Sequence, residues 1–128
     1  MILIGFLIFS LIASLTFSLP TCNLSMWINT KDFTCSGSPN TTYSAMNYNG
    51  NCTMFPNDPD WTTYKLIIDV KTQTVQNFVT YNFKNCYKGN ELFFAKTPLS
   101  LDVCVPLYLV VDPSSSIPMG GLVFTCKD

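Results

Sequence analysis

Apolar residues fall into two regimes along the chain. A block of seventeen, Ile2 to Ser18, is apolar almost throughout; after it, apolar side chains recur at every second position in short stretches. The clearest stretch is 61–71, where Tyr64, Leu66, Ile68 and Val70 alternate with Lys65, Ile67, Asp69 and Lys71. A period of two in strand-forming residues predicts a half-buried β-strand. Beyond Lys71-Thr72-Gln73-Thr74, the positions Val75, Val79, Tyr81 and Phe83 keep one parity, so the region predicts a β-hairpin with a four-residue loop. Lys88-Gly89-Asn90 predicts another turn and 91–96 a third strand. Leu99, Leu101, Val103 and Val105 alternate with Ser100, Asp102 and Cys104, a run that Pro106 breaks or places on a sheet edge before 107–111. The Pro, Ser and Gly residues of 112–121 predict a loop, and 122–126 a closing strand.

The first half is less regular. Segments 22–28 and 33–35 predict short strands, 36–40 a loop, and Asn49-Gly50 and 56–60 turns. No window carries a helical period with caps. About six to eight short strands separated by turn signals predict an all-β domain, an antiparallel sandwich or barrel.

The leading block loses hydrophobicity after Ile12, through Ala13, Ser14, Thr16 and Ser18. Thr16 and Ser18 stand at the −3 and −1 positions for a cut before Leu19, the small-x-small pattern of signal peptidase. Residues 1–18 are therefore expected to be a cleaved signal peptide and 19–128 a single secreted domain. A polar final third and no basic flank disfavour a signal anchor, although the block approaches the ~20 residues of a membrane span. The chain ends Phe124-Thr125-Cys126-Lys127-Asp128 with no apolar tail, so no lipid anchor is expected after signal cleavage.

Composition then removes function classes. Seven lysines and eight acidic residues give a net charge of −1, and the chain has neither histidine nor arginine. A Ser-His-Asp triad, a Cys-His nucleophile and a His-ligated zinc site are excluded, as is bidentate guanidinium recognition of phosphate. No basic stripe marks a nucleic-acid partner. The domain is expected to hold no cofactor and no metal, and to catalyse nothing.

Six cysteines remain: Cys22, Cys35, Cys52, Cys86, Cys104 and Cys126. None has redox or zinc-knuckle spacing, and an even number in a small exported domain predicts three structural disulfides. Spacing does not choose among the fifteen pairings; bridges across neighbouring strands, Cys35 with Cys52 and Cys86 with Cys104, are the ones we lean to. Three sequons, at Asn23, Asn40 and Asn51, predict N-glycosylation in the irregular half of the chain. Asn40 is expected to be the most occupied, with Thr42 as its hydroxyl in an open loop.

Asp58 and Asp60 are close enough in sequence to suggest a glycosidase pair or a calcium loop, yet Pro56-Asn57-Asp58-Pro59-Asp60 reads as turn chemistry. Trp27, Trp61, Tyr43 and Tyr48 are candidates for stacking on sugar rings, against the simpler role of core aromatics. The Asp-Phe-Thr-Cys-Ser-Gly run at 32–37, the Asn-Gly-Asn-Cys run at 49–52 and the six spread cysteines resemble the small secreted six-cysteine proteins of social amoebae. That resemblance implies a secreted β-domain and assigns no functional residue. The sequence thus leads to a secreted, N-glycosylated extracellular interaction or matrix module whose partner is a protein or a glycan. A carbohydrate-binding module using exposed aromatics is the second reading, and a hydrolase using carboxylates alone the third.

Overall fold

The computed structural model describes residues 19–28, 33–56 and 62–128. The leader, Asp58, Asp60 and Trp61 lie outside the described residues. Among those described there is no helix, and nine strands follow one another: β1 (Thr21–Ile28), β2 (Thr41–Tyr43), β3 (Thr53–Met54), β4 (Thr63–Asp69), β5 (Thr74–Tyr81), β6 (Glu91–Phe94), β7 (Leu99–Ser100), β8 (Val105–Asp112) and β9 (Ser115–Lys127). They form one antiparallel sheet in the order β2-β1-β9-β8-β6-β5-β4-β3, with β7 added to β5. The all-β antiparallel expectation therefore holds, and the sheet curls into a half-barrel.

Side-chain alternation explains the curl. Leu24 and Met26 of β1, Leu66 and Ile68 of β4, Val75 and Phe78 of β5, Leu107 of β8 and Leu122 and Phe124 of β9 are all buried. They can share one core only if the sheet bends to enclose its inner face. Phe78 and Phe124 lie on strands separated by β6 and β8, yet their rings meet edge-on at 5.0 Å between centroids. At the two ends of the sheet, Tyr43 stands 4.3 Å from Phe55 and Phe55 4.6 Å from Tyr64, an aromatic row closing the gap between β2 and β4.

Backbone hydrogen bonds close the same gap. Met46 N–H donates to the Cys22 carbonyl of β1 at 2.8 Å, Gly50 N–H donates to the Leu66 carbonyl of β4 at 2.8 Å, and Ile68 N–H returns one to Tyr48 at 3.2 Å. The stretch 46–50 thus passes from one end of the sheet to the other. Gly50, at φ +91°, turns the chain there as the Asn-Gly signal predicts. Residues 101–102 make a similar crossing, with Leu101 N–H bonded to Gln73 and Asp102 N–H to Phe124.

Several segments depart from expectation. Residues 33–35 form no strand. The alternating run that begins at Leu99 ends after two residues, because Asp102 takes φ +62° and turns the chain. Pro106 does not interrupt β8: it pairs with Gly121 on the β9 side, while β6 bonds β8 only at Tyr108 and Leu109, so the missing proline N–H faces no ladder. Most of the loop expected over 112–121 is strand. Only Pro113 and Ser114 turn, and β9 runs thirteen residues through Pro118, Gly120 and Gly121.

All six cysteines are paired: Cys22 with Cys126, Cys35 with Cys104 and Cys52 with Cys86. The neighbour pairing of Cys35 with Cys52 and Cys86 with Cys104 is overturned. The sheet order sets the first strand beside the last, and Cys22 and Cys126 are register partners in β1 and β9. The remaining bridges nest inside that one. Cys35–Cys104 lies on the outer face directly over Gly121, where any side chain on the strand would obstruct it.

Candidate functional site

Of the four aromatics proposed for sugar stacking, Trp61 lies outside the described residues, and Trp27, Tyr43 and Tyr48 share no common surface. Trp27 is half-buried on the outer face of β1, and its indole N–H donates to the Gly37 carbonyl at 3.1 Å, pinning the 36–40 loop. Tyr43 and Tyr48 pack against the core from the other side of the sheet, and the Tyr48 hydroxyl donates to the Pro20 carbonyl at 2.8 Å. Core packing is thus the role of the two tyrosines. The exposed aromatics are others: Phe83 at 66%, Tyr87 at 59% and Phe33 at 48%.

Of the sequon asparagines, Asn23 lies in β1, Asn40 just before β2 and Asn51 shortly before β3. Asn23 is the third residue of β1, its Oδ1 accepting from Ala45 N–H at 3.0 Å. Asn40 is exposed, and its Oδ1 accepts from Ile28 N–H at 2.7 Å. Both bonds use the amide oxygen and not the nitrogen to which a glycan attaches. Asn51 is exposed beside Cys52, with the Thr53 hydroxyl donating to its carbonyl at 3.1 Å.

Polar and aromatic groups converge on the outer face of β5, β6 and β8. Val79, Phe94 and Tyr108 are register partners in one row across these strands. Phe94 and Tyr108 stack at 5.3 Å with their planes 20° apart, and the Lys96 ammonium lies 4.8 Å from the Tyr108 ring centroid. Stacked rings with a cation on one face form a stiff, partly apolar floor. A shallow groove of about 540 Å³ opens on its Phe94 side, with Asn77, Phe94 and Lys96 in its walls. A second groove of about 640 Å³ lies between the 82–90 loop and the β8–β9 turn, walled by Asn82, Lys88, Asn90 and Asp112. Glu91 and Val110 line both, so the two are lobes of one channel.

The walls are held from below. Asn82 N–H bonds the Asn90 carbonyl at 2.9 Å, closing the base of the 82–90 loop, and the Cys52–Cys86 bridge clamps its middle. Gly89 N–H donates to Glu91 Oε2 at 2.9 Å, fixing that carboxylate. Tyr81, paired with Glu91, is buried; burial pushes its hydroxyl above the usual 10.0, and the neighbouring Glu91 charge acts in the same direction. On the opposite wall, Asp112 accepts from the Ser115 hydroxyl at 2.8 Å and from the Ser114 N–H and hydroxyl at 2.9 Å each. Those bonds hold its carboxyl below the ordinary 3.8.

Sequence reasoning missed this channel. Its aromatic floor is spelled Phe93-Phe94 and Leu107-Tyr108, which reads as buried strand; only the pairing shows which side chain of each couple faces out. The one visible signal was the density of Asn and Lys between Asn82 and Asn90. No group of three or more metal-ligating side chains occurs among the described residues. No described helix is long and apolar enough to cross a membrane. Three disulfides suit an oxidising, extracellular-type environment. No family model, curated protein or solved structure matches the chain.

Proposed function

We propose that the protein is a secreted, N-glycosylated recognition module that works by binding and not by catalysis. The observation that carries this reading is the pairing of every cysteine into three bridges around one curled sheet, an arrangement that persists where thiols are oxidised. The leader with Thr16 and Ser18 supplies the export route, and Asn23, Asn40 and Asn51 supply the glycan sites. A fixed channel on the outer face gives the module a surface on which to bind.

Expression in a eukaryotic secretory host tests the reading. The medium should yield a chain beginning at Leu19 that falls in apparent mass on enzymatic deglycosylation, and alkylation under denaturing, non-reducing conditions should label no cysteine. Recovery of an intact Met1 in a membrane or cytosolic fraction would overturn it, as would cleavage of neutral hexasaccharides by the purified protein.

A further inference from the structure

We propose that the channel over β5, β6 and β8 is a binding site for a neutral oligosaccharide chain, an assignment that rests on the reading of this protein as an extracellular recognition module. The two lobes join at Glu91 and Val110, so the site is elongated and open along its length. Each lobe falls within the range of roughly 300–1,000 Å³ typical of small-molecule sites. An elongated cleft of that capacity suits several linked rings better than one compact ligand.

The chemistry of the walls selects the class. Phe94 is half-buried, with one ring face committed to Tyr108, and it lines the groove over which the next apolar face would lie. A pyranose presents such a face on its axial C–H side. Asn77, Asn82 and Asn90 supply amides that donate and accept at once, the pairing that a sugar hydroxyl requires. Glu91, already oriented by the Gly89 N–H, retains acceptor capacity for neighbouring hydroxyls.

Charge decides against the competing ligands. The charged side chains lining the channel are Lys88, Lys96, Glu91 and Asp112, which sum to zero. A sulfated or uronate polymer would meet two carboxylates as well as two ammonium groups, with no net attraction. An anionic membrane would gain no more from a channel whose charges cancel. An extended peptide usually binds by adding a strand to a free sheet edge. Here the floor strand β6 already pairs with β5 on one side and β8 on the other.

The test is a titration of isotope-labelled, disulfide-intact protein with cellohexaose, chitohexaose, mannohexaose and xylohexaose, followed by amide chemical shifts. Each is taken to about 10 mM, so that any millimolar dissociation constant registers. At least one should bind, with shifts confined to residues 77–82, 88–96 and 108–113. Phe94→Ala and Asn90→Ala should each weaken that binding about tenfold, the size expected of a residue central to a site. Lys71→Ala, in the β4–β5 turn, should leave it unchanged. If Phe94→Ala does not fold, Asn90→Ala, a loop side chain outside the core, still decides the matter. Four neutral sugars without effect would overturn the proposal. So would binding that maps elsewhere or survives both substitutions, or a response only to heparin hexasaccharide or phosphatidylserine vesicles. Secreted protein with paired cysteines and no sugar binding removes the ligand and keeps the module; retention in the cytosol removes the module itself.

Discussion

A methyl group placed on Gly121 would sit 2.7 Å from Cys35 Sγ, 3.0 Å from the Phe33 carbonyl oxygen and 3.1 Å from Cys104 Sγ. None of these is the free end of a flexible side chain, so the bridge and the 33–35 backbone would have to lift together. Gly121→Ala should therefore destabilise the protein by about 1–3 kcal/mol, the usual cost of forcing extra volume into a packed site. Urea unfolding measures it, and a wild-type midpoint would show that the outer bridge moves freely. Asp112 acts on a similarly local scale. Its carboxylate ties the Pro113-Ser114 turn through Ser114 and Ser115. A carboxyl whose value is lowered on folding stabilises the native state above its unfolded value and loses that contribution as pH falls through the folded one. Asp112→Ala should lower the urea midpoint at neutral pH. The difference from wild type should shrink once pH drops below the ordinary 3.8, since wild type then loses the same acceptor. A gap that stays constant down to strong acid would mean that the turn does not depend on the charge.

Among the elements, a short aromatic row closes the sheet together with the backbone hydrogen bonds of 46–50. β2 and β3 have three and two residues, too few to hold a sheet end by hydrogen bonds alone. Phe55, buried between Tyr43 and Tyr64, joins them. Phe55→Ala should cost about 3–5 kcal/mol, the range for emptying a buried aromatic site, and should raise amide exchange first in 46–54. Loss spread evenly over all strands would show that closure does not depend on this contact. Strand identity was legible where one face is buried and the other is wet: β4 and β5 stand within a few residues of where the alternation of apolar positions puts them, while β1 and β6 stand where strands were expected without a clear alternation. It failed where backbone conformation overrides pattern. Asp102 stops a run that alternates cleanly through Val105, and Pro118, Gly120 and Gly121 lie inside a strand although their residue types signal a turn. The channel was illegible for a related reason. Whether Phe93 or Phe94 faces outward depends on the irregular register between β5 and β6, which no local pattern reports.

At the scale of the whole molecule, the disulfides are nested: Cys52–Cys86 spans 34 residues, Cys35–Cys104 spans 69 around it, and Cys22–Cys126 spans 104 around both. No neighbour rule anticipates this order, because it follows from a sheet whose first strand pairs with its last. Nesting also sets an order of formation. Loop-closure entropy grows with the logarithm of loop length, so closing the outer loop directly costs about 1 kcal/mol more than closing the inner one, by the (3/2)RT ln n rule. The inner loop also contains the β4–β5 hairpin, one of the two long local pairings in the fold, which brings its two ends together before any distant contact is made. Once Cys52–Cys86 is closed, the chain between Cys35 and Cys104 is effectively shorter, and the same advantage passes outward to Cys22–Cys126. Oxidative refolding of the reduced protein, quenched by alkylation at increasing times and mapped by mass spectrometry, should therefore show Cys52–Cys86 as the first native bridge to accumulate and Cys22–Cys126 as the last. Early dominance of Cys22–Cys126 would mean instead that β1 finds β9 before the central hairpin forms.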